Sequence, residues 1–213
     1  MAEQFSILGR GRSGRALAAA WGEQVELLPH TARPAGWVLL AVPDHAVASL
    51  VTFFEGRCVH LSGSLHLDAI PCAHPLTSFD GEAADWRGTP LALTGEVPVF
   101  IRQAFEFLGF LPFQLPPALK PLYHAAAVLS SAHAATLWLG AEKLLKDAGV
   151  ILPGRGLMAL AEATRHNIEQ HGAAGKTGPF VRGDEATILR DAASLPLPWR
   201  EIFLRLGELN SLK

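Results

Sequence analysis

Cysteine is scarce: the 213 residues hold only Cys58 and Cys72, in neither a C-x-x-C nor a zinc-ribbon spacing. That excludes a disulfide framework and suits a reducing compartment. Charge is scarce too. Asp, Glu, Lys and Arg make up 18% of the chain and the formal net charge is −2, so no basic surface argues for nucleic acid or an anionic membrane. A membrane-spanning run is also lacking. AAAVLSSAHAATLWLGA (125–141) carries no Asp, Glu, Lys or Arg, but it is short for a span of about 20 residues and contains Ser130, Ser131, His133 and Thr136. It reads as a helix buried among other helices. The first residues show no basic region followed by an apolar stretch and a cleavage site, so a cytoplasmic location is the expectation.

What the chain does have is apolar residues, 49% of the total, enough for a substantial core. Up to about residue 115 they fall in short segments bounded by turn residues. FSILG (5–9), QVELLP (24–29), WVLLAVPD (37–44), RCVHLSG (57–63), CAHPLTSF (72–79) and TPLALTG (89–95) read as strands. Helical stretches at 13–22, 44–54 and 97–108 lie between them. This alternation predicts an α/β, Rossmann-like domain with a mostly parallel sheet. After the proline cluster at 112–117 the texture becomes helical, over 119–148, 155–171, 184–194 and 197–211. The expected domains are therefore 1–116, dinucleotide-binding, and 117–213, all-α. Small side chains along 125–140 would let another helix approach closely, either from a partner subunit, giving a homodimer through the C-terminal helices, or from the same domain.

The segment FSILGRGRSGRALAAAW (5–21) places Gly9, Gly11 and Gly14 in G-x-G-x-x-G spacing between a strand and a helix. Gly9 would make the turn, Gly11 would let a pyrophosphate approach, and Gly14 would allow helix–sheet contact. Backbone N–H groups around Arg12 and Ser13 would open the helix, where an anion is favoured, and Arg10 and Arg12 add positive charge. NAD sites usually carry an acid at the end of the second strand. Here the strand ends in LLPHTARP, with His30, Thr31 and Arg33 and no acid after Glu26. A hydroxyl and a guanidinium suit the 2′-phosphate of NADP better than a free diol. Only residues 30–36 separate this strand from the next, too few for a helix, so the adenosine end is expected to be abbreviated or reshaped.

Several segments in order, ILGRGRSGRAL, VLLAVPDHAV, VHLSGS, HPLTSF, YHAAAV and KTGPFVRGD, together resemble a bacterial family with a Rossmann-like N-terminal domain and a helical C-terminal domain of unknown function. Its members are often labelled as NADP oxidoreductases of the deazaflavin-dependent type. The family is similar in architecture to pyrroline-5-carboxylate reductase, prephenate dehydrogenase and the 6-phosphogluconate dehydrogenase superfamily. The resemblance implies a homodimer and a small-molecule substrate in a cleft between the domains. It implies NADP as cofactor, with NAD and a deazaflavin as open alternatives. It also places Val42, Pro43 and Asp44 on a loop passing near the cofactor and Ser62 near the nicotinamide. His74, followed by Pro75, matches the histidine-proline pair of prephenate dehydrogenases, and Tyr123–His124 begins the long helix. The sequence departs from the family at the missing helix after the second strand and at Ala132, where an asparagine is frequent.

A histidine beside a reacting hydroxyl or imine can move the proton that accompanies hydride transfer, which makes His74 and His124 the catalytic candidates. His60, His66, Asp68, Cys72 and His74 crowd one window but lack the spacing of a dedicated metal site, and no metal is expected. GAAGKTG (172–178) imitates a phosphate loop, yet Gln170 stands where that motif needs glycine. Two readings stand at this level. One is an oxidoreductase transferring hydride to or from a small molecule. The other is a non-catalytic sensing or interaction protein on a degenerate Rossmann scaffold.

Overall fold

The computed structural model describes residues 5–210. The chain divides into two compact units at Ala134/Ala135. In the first, seven strands form one sheet in the order β2-β1-β3-β4-β5-β6-β7. They are β1 (Phe5–Leu8), β2 (Glu26–Leu28), β3 (Trp37–Leu40), β4 (Cys58–His60), β5 (Cys72–Pro75), β6 (Pro90–Thr94) and β7 (Leu111–Gln114). All neighbours are parallel except β5 and β6, which pair antiparallel with His74 opposite Ala92. All six strands read from the sequence form. The seventh lies inside the proline-rich stretch. Pro112 removes one N–H there, and β7 sits at the sheet edge, where a strand can lack a donor.

Strand alternation sends side chains to two faces. Phe5, Ile7, Leu39, Val59, Ala73, Leu91 and Leu93 pack on one side with Leu17 and Trp21 of α1 (Arg12–Trp21) and Ile101 and Phe105 of α3 (Val99–Phe107). The Trp21 indole N–H donates to the Ala104 carbonyl at 2.9 Å, so its polar edge is satisfied while its ring stays buried. Leu8, Val38, Leu40 and Cys58 face the other way, onto Val47, Leu50 and Phe54 of α2 (Asp44–Phe54). Cys58 and Cys72 are both free thiols, buried in the sheet.

The helix-free connection from β2 to β3 has a simple geometric basis. Leu28 lies level with Leu8, and Trp37 level with Phe5. The chain must return by three residue rises, roughly 10 Å, and cross two strand spacings, roughly 9.6 Å. The intervening residues 29–36 reach up to about 27 Å when extended. Because the strands are so short, no helix is required. Ala32 packs on the α2-side core in its place, Arg57 donates to the Ala35 carbonyl at 2.6 Å, and the Arg33 guanidinium lies 4.4 Å from the centre of the Phe53 ring.

The helical run that follows β7 is α4 (Lys120–Val128), a π turn over Leu129–His133, and α5 (Ala134–Asp147). The second unit continues with α6 (Leu157–His171), α7 (Pro179–Arg182), α8 (Glu185–Ser194) and α9 (Trp199–Leu209). Asp184 caps α8, accepting the Thr187 N–H at 3.1 Å. GAAG (172–175) is a 3-10 turn closing α6, not a strand-to-helix loop. Among the described residues no helix is long and apolar enough to cross a membrane.

Candidate functional site

At the end of β1, Gly9 adopts φ 118°, and a Cβ there would stand 2.3 Å from the Ala41 carbonyl oxygen. A Cβ on Gly14 would lie 1.9 Å from the Gly9 carbonyl, so α1 rests directly on the turn. Gly11 differs: a Cβ there would meet nothing within 4 Å. Two glycines are demanded by packing, and the middle one faces open space. Arg12, Ser13 and Gly14 form the first turn of α1, which carries no acid and no side-chain cap, leaving its N–H groups directed outward.

This turn opens into a cavity of about 590 Å³. Gly9, Arg10 and Gly11 form one wall. His30, Thr31 and Arg33 form the second, and Val42 and Pro43 the third, with His45 and Ser49 from α2. The abbreviated connection thus lines the cavity rather than closing it. None of the described lining residues is Asp or Glu. Open backbone at Gly11, a helix N-terminus, guanidinium groups and the lack of a carboxylate among the described lining residues suit an anionic ligand such as a dinucleotide.

Immediately after Pro43, the Asp44 carboxylate accepts hydrogen bonds from the Ser62 hydroxyl at 2.9 Å and the Ser64 hydroxyl at 3.1 Å. The Ser62 oxygen also accepts the Leu65 N–H at 2.9 Å. Ser62 is therefore committed to holding the loop after β4, and it does not line the cavity. That loop carries Gly63, which packs against both candidate histidines. A Cβ on Gly63 would sit 2.8 Å from His74 Nε2 and 2.6 Å from His124 Cδ2. The two imidazole centroids are 6.3 Å apart, and His74 Nδ1 is hydrogen-bonded to the Tyr123 hydroxyl at 2.9 Å. The two candidate histidines, one from β5 and one from α4, meet.

Beneath them lies a group the motifs did not announce. Lys120 is 1% exposed, and its Nζ donates to the Ser62 carbonyl at 3.0 Å and to Cys72 Sγ at 3.1 Å. The Cys72 thiol donates to the same carbonyl at 3.1 Å. One faint signal was available: Lys120 is the only Lys or Arg between Arg102 and Lys143. Its surroundings set the local electrostatics. Burial, then the Lys120 charge, lowers His74 to about 4, with a further push from His124. Burial and Lys120 likewise lower His60 to about 4. Burial raises Tyr123 to about 12 and Cys58 to about 11, and raises Cys72 against the opposing pull of Lys120. His60 Nδ1 accepts the Ser62 N–H at 3.3 Å, which puts its proton on Nε2. That buried nitrogen has no partner among the described residues. Nor do three His, Cys, Asp or Glu side chains converge among the described residues as a metal would need.

The family profile described as a domain of unknown function, DUF2520, matches residues 64–209. No curated protein matches the chain by sequence. Among solved structures, the fold is similar to that of a Bacteroides fragilis protein assigned as an NADP oxidoreductase, with TM-score 0.81 at 17% identity and 100% of both chains covered. A Thermotoga maritima protein aligns with TM-score 0.76 at 18% identity, over 97% of this chain and 96% of the other. A reductive aminase from Aspergillus terreus, in complex with NADPH and ethyl levulinate, aligns with TM-score 0.65 at 13% identity, over 99% and 93%. At these identities the likeness establishes the fold.

Proposed function

We propose that this chain, which belongs to the DUF2520 family, is an NADP-dependent oxidoreductase acting on a small molecule, with His74 and His124 at the reacting end. The observation carrying this reading is the cavity at the glycine turn: Gly11 open, Arg10 and Arg33 present, no acidic lining among the described residues, and Asp44, next to Pro43 of its wall, bonded to Ser62, whose neighbour Gly63 packs on His74. The fold shared with a structure solved with NADPH supports it.

Gly9, Gly11, Arg12 and Ser13 would hold the pyrophosphate, and Thr31 and Arg33 the 2′-phosphate. When bound, the nicotinamide supplies or takes up the hydride. The chain's own task is the proton. His74 stays neutral at physiological pH because burial and Lys120 disfavour its charged form. With its proton on Nδ1 and donated to Tyr123, Nε2 has a lone pair for the proton of a substrate hydroxyl. In the reducing direction the same nitrogen returns it. Gly63 leaves the approach to Nε2 free of a side chain.

NADPH at 100 times its dissociation constant should stabilise the protein by about 2.7 kcal/mol in thermal unfolding. Arg33→Ala should weaken NADPH about tenfold while leaving NADH nearly unchanged. No stabilisation by either cofactor would sink this reading and leave the non-catalytic scaffold in its place. Equal losses for both would remove the 2′-phosphate role.

The second unit supports a homodimer. Neither α5 nor α6 has a fully buried side chain among the described residues, and Leu139 and Leu160 are 66% and 64% exposed. Two helices so uncovered are what a subunit interface leaves when one copy is viewed alone. Light scattering should give about twice the 22.8 kDa chain mass, and Leu139→Glu with Leu160→Glu should return it to one.

A further inference from the structure

A recess of about 320 Å³ lies against His74 and His124, lined also by Thr77, Ser78, Ser130 and Ser131 together with apolar side chains. We propose that it takes an uncharged hydroxy compound, or the matching carbonyl, and rejects substrates with a carboxylate, phosphate or ammonium beside the reacting carbon. This rests on the oxidoreductase reading and deepens it by naming the substrate class.

The π turn over Leu129–His133 sits at the wall of the recess, a place where such turns often mark function. There Ser130 and Ser131 both donate to the same Ala127 carbonyl, at 3.1 and 2.6 Å. A hydroxyl whose proton is already given away offers only lone pairs. This wall therefore accepts hydrogen bonds from a ligand and does not supply them. The hydroxyls of Thr77 and Ser78, which also line the recess, can donate to a neutral carbonyl. A carboxylate or phosphate needs charged donors, best a guanidinium, and none of the described lining residues is Lys or Arg.

An ammonium would find acceptors but no counter-charge, since none of the described lining residues is Asp or Glu. Lys120 acts on His74 from behind and opposes a cation further. It is buried and bonded to Ser62 and Cys72, so it is not among the groups that line the recess and could pair with an anion. The serine rim is exposed, so the dominant cost falls at the His74 end, where an ion loses water without gaining a counter-charge, whichever its sign. An uncharged hydroxyl avoids it: the O–H donates to a serine oxygen or to His74 Nε2 and carries no charge that must be matched. The recess is at the small end of ligand sites, which suits a compact molecule.

Three probes on one ring isolate the charge: cyclohexanol, cyclohexylammonium and cyclohexanecarboxylate. Titrated into the full-length protein and followed by the His74 and His124 ring signals in NMR, cyclohexanol should bind at least about tenfold more tightly than either ion. Ser130→Ala combined with Ser131→Ala should weaken cyclohexanol about tenfold, and Val128→Arg should admit cyclohexanecarboxylate. Either ion binding as tightly as the alcohol, or none of the three perturbing these signals, overturns the proposal. NADPH stabilisation measured on the same protein keeps the two readings apart. A sample that binds cyclohexanol but not NADPH loses the oxidoreductase reading only, and one that binds NADPH but favours the carboxylate loses the substrate class only.

Discussion

At the glycine turn the walls are backbone and loop. Gly9 and Gly14 are packed against carbonyl oxygens, Gly11 is open, and the charges that matter project from the surface. At His74 the walls are side chains brought from β4, β5 and α4, held by a buried lysine, a thiol and a tyrosine hydroxyl. The first region presents bare backbone at Gly11 and surface guanidinium groups to its cavity. In the second, His74, Tyr123, Lys120 and Cys72 are each hydrogen-bonded within the cluster, and the charge of Lys120 shifts the protonation of its neighbours. The difference separates binding from chemistry: a backbone cradle suits a large anionic ligand, whereas a coupled cluster suits proton control.

The sharpest way to break this contrast is to place a methyl group at each glycine. Gly14→Ala drives a Cβ to 1.9 Å from a backbone carbonyl that cannot move without lifting α1 off the sheet. It should cost about 3 kcal/mol or more, the upper range for overpacking, and be read as a lowered denaturation midpoint in urea. Gly63→Ala meets the ends of two imidazoles, which can rotate away. It should cost less, about 1–2 kcal/mol, while shifting the ring signals of both histidines. If Gly14→Ala is the milder of the two, the backbone cradle is not the rigid part.

How much of this was legible in the sequence follows the same division. Gly9, Gly11, Thr31 and Arg33 are close in sequence to the elements that position them, and local spacing was enough to gather them at one cavity, with Gly14 packed against the turn. Strand β7 was hidden because Pro112 and Pro116 read as punctuation, although an edge strand tolerates a missing donor. The short connection at 30–36 looked like a defect because crossover length was judged against strands of ordinary length. With three- and four-residue strands the distance shrinks. His74 and His124 were reached through the family resemblance, since nothing local joins residues 50 positions apart. Lys120, Gly63 and the Tyr123–His74 bond were out of reach, because they exist only when β4, β5 and α4 are stacked. Ser62 was placed near the cofactor, but its hydroxyl is spent on Asp44.

A moderate effect is expected from acid. His60 and His74 titrate near 4 in the folded protein, below the ordinary histidine value of 6.5. Between those values the unfolded chain binds protons that the folded chain refuses, so stability falls as pH drops from about 6.5 to about 4 and then levels off. Each histidine contributes at most about 3 kcal/mol to that loss. Lys120→Met removes the second cause of the lowering and leaves burial, so both histidines should titrate higher and the acid loss should shrink. NMR titration of the ring protons together with urea melts at pH 7 and pH 4.5 checks it. Unchanged histidine titration in Lys120→Met would uncouple the lysine from the cluster.

The smallest effect on stability is the most informative for function. Gly11→Ala adds a methyl group where nothing lies within 4 Å, at an extended-compatible φ of −70°, and it gives up only the modest preference of a helix N-cap for glycine over alanine. The denaturation midpoint should therefore change by less than about 1 kcal/mol. Yet the space that methyl fills is the approach to the helix N-terminus, where a pyrophosphate would rest against bare backbone. NADPH stabilisation should fall by at least about 1.4 kcal/mol, a tenfold loss of affinity. A larger group at the same position, Gly11→Val, should abolish it while the fold persists. If Gly11→Val keeps full NADPH affinity, the open face of the turn serves no dinucleotide, and the resemblance of the two glycine-packed ends to a cofactor cradle is a matter of helix packing alone.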